Sequence, residues 1–212
     1  MGLHLYFLRH GETVFSKSGN YSGSLDPELT AQGQQMAADF AQAYQALPWT
    51  AVFCSPMRRT MATATPLAQA VGLELQLRDG LKEIHYGVWE GQTPAWVKQN
   101  HLEDYIHWMT EPAWNAPTGG ETAVQIANRA MAVIAEIEAN YTEGNVLVVS
   151  HKATLRIILC SLLGIDLGRF RDRISILVAS VSLVRFTQYG PRLELMGDRS
   201  HLNPELRALA GT

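Results

Sequence analysis

The sequence predicts a three-layer α/β/α fold with a mostly parallel central sheet and a small helical insertion over the ligand-binding edge of that sheet. Three observations carry this. Short apolar, strand-like runs alternate with longer helical segments through most of the 212 residues. Residues 146–149 (Val-Leu-Val-Val) form a continuous apolar run, as a strand covered on both faces requires. In 121–139, Val124, Ala127, Met131, Ile134 and Ile137 recur every three or four residues, the pattern of a helix laid on a sheet. With 47% apolar and 17% charged residues the chain can bury one sizeable core. It reads as a single domain, 1–212, in which about 83–120 is the insertion.

The elements follow in order. Residues 3–8 are almost wholly apolar and stop at Arg9-His10-Gly11, which predicts a buried strand. A polar, Gly-rich loop covers 16–26. Thr30 then caps an Ala/Gln-rich helix through Tyr44, closed by Pro48. A second strand is expected at 51–54, with Ser55-Pro56 as N-cap and first position of a helix running to about Ala70. Residues 73–77 form a third strand candidate. One helix is expected over 94–109, after a loop carrying Glu83, Gly87 and Trp89, and before a turn region marked by Pro112, Pro117 and Gly119-Gly120. After the helix at 121–139, ended by Gly144, comes the strand at 146–149, and Ser150 is expected to cap a helix over 151–163 that Gly164 terminates. Two strands, 178–186 and 192–196, joined across Tyr189-Gly190-Pro191, finish the pattern.

Charge and composition exclude several function classes. Seventeen Lys and Arg against twenty Asp and Glu give a net charge of −3, which offers no electrostatic footprint for nucleic acid. No apolar run approaches the roughly 20 residues of a membrane span, and the N-terminus lacks the basic, apolar and small-residue succession of a secretory signal, so the expected location is the cytoplasm. Cys54 and Cys160 sit in apolar surroundings that suit buried, reduced thiols. His101, Asp104 and His107 drift around a helix surface and lack a fourth ligand, so no metal is expected there. A homodimer through an edge strand is compatible with the pattern, though no residue calls for one.

In open α/β sheets ligands bind beyond the carboxyl ends of the strands. Those positions hold Arg9-His10-Gly11, Ser55 to Arg59, and Ser150-His151-Lys152. Two imidazoles, arginines and a lysine would thus converge in a chain of negative net charge. Guanidinium forks and helix N-termini both suit phosphate oxygens, so a phosphate group is the expected ligand. A neutral imidazole can attack phosphorus if cations stabilise the oxygens and an acid protonates the departing alcohol. The two cations beside His10 should keep it neutral near pH 7. This scheme needs no cofactor, and the sequence has no P-loop of the Gly-x-x-x-x-Gly-Lys-Ser/Thr type.

The block Leu8-Arg9-His10-Gly11-Glu12-Thr13 resembles the signature of the histidine phosphatase superfamily, the phosphoglycerate mutase-like enzymes. The resemblance continues through Gly23, Leu25-Asp26-Pro27-Glu28-Leu29-Thr30 and Gly33, then Ser55-Pro56-Met57-Arg58-Arg59, Leu81-Lys82-Glu83 with Gly87-Val88-Trp89-Glu90-Gly91, Gly119-Gly120-Glu121-Thr122, and Val149-Ser150-His151. It implies His10 as nucleophile, Arg9 and Arg59 as the phosphoryl clamp, His151 as stabiliser of the transferring group and Glu83 as acid and base. Glu12 and Glu90 stand nearby in sequence, and the spacing to Gly87 and Trp89 singles out Glu83. Arg58 does not match the motif arginine and should be exposed. Two positions depart from the family pattern: Ser16 stands where Asn is common, and Lys152 where Gly is usual. Both are counted with Arg9, Arg59 and His151 as phosphate-binding candidates.

For the organic part of the substrate the candidates are Tyr21, Ser22, Gly23, His85 and Tyr86, while Trp89, Trp96, Trp108 and Trp114 are expected to form a small core under the insertion. The resemblance implies a metal-independent phosphomonoesterase acting on a small phosphorylated metabolite through phosphohistidine. The compact insertion and brief tail look most like the phosphoserine and ribazole phosphate phosphatases, with a lean to phosphoserine. The rivals are a phosphoglycerate mutase, which transfers the group instead of releasing it, and a catalytically silent phospholigand-binding regulator.

Overall fold

The structure, a computed structural model, describes residues 2–209; the outermost residues of the expected 1–212 domain lie outside that range. Its six strands are β1 (Leu3–Arg9), β2 (Trp49–Cys54), β3 (Leu75–Leu77), β4 (Gly144–Ser150), β5 (Val181–Thr187) and β6 (Gly190–Asp198). They form one sheet in the order β3-β2-β4-β1-β5-β6. The first four are parallel, and β5 and β6 add an antiparallel hairpin at one edge. Described helices are α1 (Val14–Ser18), α2 (Ala31–Tyr44), α3 (Arg58–Val71), α4 (Pro94–Asn100), α5 (Leu102–Thr110), α6 (Ala123–Asn140), α7 (Lys152–Leu163), α8 (Phe170–Arg173) and α9 (Pro204–Ala208), with short 3-10 turns between some of them.

Strand alternation sorts the core into two faces. Leu5 and Phe7 of β1, Phe53 of β2 and Val146 and Val148 of β4 pack with Ile126, Ile134 and Ile137 of α6 and Ile157 and Ile158 of α7. The intervening Leu8, Val52, Cys54, Leu147 and Val149 pack with Phe40 of α2 and Ala64 and Leu67 of α3. These two apolar layers make the three-layer architecture. A smaller cluster of Met36, Val178, Ala179, Leu202 and Leu206 seats α9. Among the described residues no helix is long and apolar enough to cross a membrane.

Several boundaries differ from the sequence reading, each for a local reason. Ser55-Pro56 does not start α3: the N-cap is Met57, whose side chain makes no capping bond, and Asp26 Oδ2 accepts from the Arg58 N–H at 2.9 Å instead. Ser150 likewise does not cap α7; its Oγ donates to Leu81 O at 2.7 Å, and His151 is the N-cap. The expected helix over 94–109 breaks at His101 (φ −137°) into α4 and α5. Thr122 caps α6 with Gln125 completing the capping box, and Gly144 opens β4 at φ 99° instead of closing that helix. Residues 178–180 are a buried turn with Ala179 at φ 53°, so β5 starts at Val181. The polar loop begins with α1, which a five-residue segment cannot announce by periodicity. Cys54 and Cys160 are buried free thiols, pushed up by burial to about 12 and about 11.

Candidate active site

Register brings the site together. In the ladders Arg9 lies opposite Ser150, and Cys54 opposite Val149, so three parallel strands end at one level. The next residues, His10, Ser55 and His151, therefore leave the sheet side by side. The rings of His10 and His151 are 5.3 Å apart and tilted by 60°. Both are buried.

His10 Nδ1 lies 2.8 Å from Gly11 O. A carbonyl only accepts, so the proton is on Nδ1 and the lone pair is on Nε2. Burial first, then Arg59 and Arg9, holds this imidazole well below its ordinary value, so it is neutral at pH 7. Arg9 is buried and Nη1 donates to Ile176 O at 2.9 Å. Arg59, fully buried at the start of α3, donates from Nε to His151 Nδ1 at 3.2 Å, from Nη1 to Leu25 O at 2.8 Å and Asp26 Oδ1 at 3.3 Å, and from Nη2 to Gly23 O at 3.1 Å. The first loop thus holds its fork. Because His151 Nδ1 accepts from Arg59, its Nε2 carries the proton and donates to Ser55 Oγ at 2.8 Å. Burial first, then Arg59, holds His151 well below its ordinary value too. Arg58 is exposed beside Glu28.

Glu83 lines the same cavity as Arg9 and His10. Its carboxylate accepts from Ala153 N and Thr154 N, both at 3.2 Å, capping α7, and from Ile84 N at 3.0 Å. The nearby acids are committed elsewhere. Glu12 accepts from the Thr30 hydroxyl at 2.8 Å, and Glu90 binds Ser24 N at 2.8 Å and Tyr86 N at 3.2 Å, clipping the first loop to the insertion. Arg129 of α6 fixes the backbone around Glu83, donating to Gly80 O at 2.9 Å, Lys82 O at 2.7 Å and Glu83 O at 3.1 Å.

A cavity of about 130 Å³ is lined by Arg9, His10, Ser16, Gly19, Asn20, Tyr21, Ser22, Glu83, Tyr86 and Lys152. Arg59 and His151 do not line it; His151 lies against the His10 ring and is bonded to Arg59. Lys152 is half-buried, and burial lowers it to about 8. Ser16 lines the cavity while its hydroxyl accepts from Thr13 N at 2.8 Å and donates to Thr13 O at 3.0 Å. Two expected substrate contacts lie elsewhere. Gly23 does not line this cavity and serves Arg59 through its carbonyl. His85 is exposed, accepts from Gly87 N at 3.1 Å and lines a separate cavity behind Glu83. The tryptophans divide as well. Trp89 and Trp108 are buried against Tyr21 and Tyr86, but Trp96 on α4 is 37% exposed and Trp114, in the turn after α5, 72%.

Sequence reasoning did not single out Asn20 as a lining residue, Asp26 and Ser55 as the partners that orient Arg59 and His151, or Arg129 as the brace for Glu83. Asp26 stood in a motif block and Ser55 at a strand end, so both carried a signal. Arg129 carried none, since helical periodicity marks only its position on α6. Among the described residues no group of three or more His, Cys, Asp or Glu side chains could hold a metal ion.

The sequence profile of the histidine phosphatase superfamily (branch 1) matches residues 5–199. Phosphoserine phosphatase 1 of Hydrogenobacter thermophilus is 34% identical over 166 residues, 78% of this chain and 79% of that protein. Adenosylcobalamin/alpha-ribazole phosphatase of Escherichia coli is 30% identical over 162 residues, 76% of this chain and 80% of the other. Of solved structures, YhfR of Bacillus stearothermophilus superposes with a TM-score of 0.87 at 26% identity, covering 95% of this chain and 100% of that one. A profile match across nearly the whole length, relatives that are phosphatases, and strand ends that present the motif residues together lead to one assignment: the chain belongs to the histidine phosphatase superfamily, branch 1, and is a phosphatase.

Proposed function

We propose that the protein hydrolyses the phosphate monoester of a small metabolite through a phosphohistidine on His10, with no metal taking part. The observation that carries this is the His10 Nδ1 bond to Gly11 O, which leaves Nε2 as a neutral nucleophile on a residue that lines the same cavity as Glu83.

In the first step His10 Nε2 attacks phosphorus and the ester P–O bond breaks. Protonated Glu83 gives its proton to the departing alkoxide, so the alcohol leaves neutral. Arg9, Arg59 and Lys152 meet the charge on the phosphoryl oxygens, Ser16 lines the phosphate position, and His151, oriented by Ser55 and Arg59, stabilises the transferring group. In the second step Glu83 takes a proton from water as the water oxygen attacks phosphorus. The N–P bond then breaks, phosphate leaves, and Glu83 is protonated again. The sum is ester plus water to alcohol plus phosphate.

Among substrates we favour phosphoserine, on the strength of the 34% identity to the Hydrogenobacter thermophilus enzyme of that name. The test is rapid quenching with ³²P-labelled phosphoserine. An acid-labile, base-stable label on wild-type protein, absent from His10→Ala while circular dichroism is unchanged, is expected. A variant that turns over at the wild-type rate, or a wild type that turns over without ever carrying label, overturns the mechanism.

A further inference from the structure

A second cavity of about 280 Å³ adjoins the first, sharing Gly19, Tyr21, Tyr86 and Lys152 with it and adding Pro94, Trp108, Ala153, Arg156, Phe170 and Arg171. Three cations thus stand on its wall: Lys152, shared with the phosphoryl site, and Arg156 and Arg171, which lie beyond it. Lys152 opens α7 and Arg156 follows four residues later on the same helix face. Both positions work against helix electrostatics: cations are disfavoured near the N-terminus, and like charges at this spacing repel.

Within the described protein Glu83 offsets that cost only in part. Arg156 is half-buried, has no hydrogen-bond or ion-pair partner among the described residues, and its Nε is buried without one. Arg171 is locked in place, with Nη1 donating to Met109 Sδ and Nη2 to Met109 O, both at 2.8 Å, and its guanidinium carbon 4.0 Å from the Trp108 ring centroid. Its Nε is also buried without a partner. The carboxylates whose charge Arg156 and Arg171 feel are Glu83 and Asp172. Glu83 is bonded to the N-terminus of α7, and Asp172 is half exposed beside Arg169. Burial lowers both arginines and Lys152, and neighbouring cations lower Lys152 and Arg156 further.

We infer that the second cavity is an anion subsite for the alcohol half of the substrate, so that the enzyme acts on phosphate monoesters of small hydroxy acids, with the carboxylate held by Arg156 and Arg171 and Lys152 between the two anions. Planar guanidinium forks suit a carboxylate, and Tyr21, Tyr86 and Trp108 pack the short carbon chain that joins it to the ester oxygen. The inference rests on the phosphatase reading above and deepens it.

The experiment compares kcat/KM for phosphoglycolate (anionic), 2-hydroxyethyl phosphate (neutral), phosphoethanolamine (cationic) and phenyl phosphate (apolar), with wild type, Arg156→Gln and Arg171→Gln. Wild type is expected to prefer phosphoglycolate over the neutral ester by at least about tenfold and to disfavour the cationic one. Each variant should lose at least about tenfold on phosphoglycolate, mainly through KM, while staying within about twofold on phenyl phosphate. Turnover of phenyl phosphate without preference for the anionic ester, or equal losses on all four, overturns the subsite and leaves the phosphatase reading standing. No turnover of any ester by folded wild type overturns both.

Discussion

The two imidazoles show how much a residue owes to its surroundings. His10 and His151 follow the carboxyl ends of β1 and β4 with Arg59 bonded to His151, and burial is the largest reason both sit well below the ordinary histidine value. Below about pH 6.5 the unfolded chain takes up protons on these residues that the native state refuses. Their contribution to stability is therefore complete above about pH 6.5 and is lost as pH falls toward the depressed native values. Proton NMR of the imidazole Cε1–H groups should show neither ring titrating between pH 8 and 6, and Tm should fall as pH drops below about 6. A normal titration near pH 6.5 for either ring would contradict this account. The unprotonated His10 is also what the proposed first step requires, so acidification should lower activity before it unfolds the protein.

At the scale of elements, the close approach of two backbones decides the shape of the first loop. An added Cβ at Gly11 would lie 2.5 Å from Gly33 O, and one at Gly33 would collide with Glu12 O. Gly33 lies in the first turn of α2, where Gly→Ala ordinarily stabilises by about 0.5–1 kcal/mol. Here the sign should reverse. Gly33→Ala is expected to cost about 1–3 kcal/mol as overpacking, lowering Tm by roughly 2–4 °C per kcal/mol for a chain of this size. A rise in Tm would show that the loop after β1 can move away freely. The helix starts teach a related lesson. Ser55 and Ser150 stand where local caps are expected, yet their hydroxyls bind His151 and Leu81, and distant carboxylates from Asp26 and Glu83 serve the N-termini of α3 and α7 instead.

Across the whole molecule, the sheet supplies one half of the site and the insertion the other, so the proposed acid must be held against His10 from outside the sheet. Arg129 does this from α6, through three carbonyls of 80–83 and the Glu121 carboxylate, whose pKa stays low through its hydrogen bonds with Arg129 and the His85 N–H despite burial. We expect Arg129→Met to lower kcat on alkyl phosphates by up to about 10²-fold, the scale on which misplaced catalytic groups act. KM should change little, and kcat/KM for p-nitrophenyl phosphate, which covers only the first step and whose leaving group hardly needs an acid, should be almost unaffected. Equal loss on both substrates would mean that Arg129 serves the fold generally and not Glu83.

The chain by itself settled the order of the strands and the longer helices, the placing of His10, Ser55 and His151 just after strand ends, and the family, because apolar period and contiguous motifs are local and survive in one dimension. The spacing to Gly87 and Trp89 singled out Glu83 but could not show where each carboxylate goes: Glu12 binds Thr30, Glu90 clips the first loop to the insertion, and Glu83 lines the cavity. The chain alone could not show that His85 and Trp114 are exposed, since neither lies in a periodic element and tertiary packing sets their exposure. Nor could it join Lys152, Arg156 and Arg171 into one wall, because α7 and α8 meet only through tertiary packing. Distances between residues far apart in sequence are fixed by the way layers stack, and that is information the order of amino acids carries only once the chain has folded.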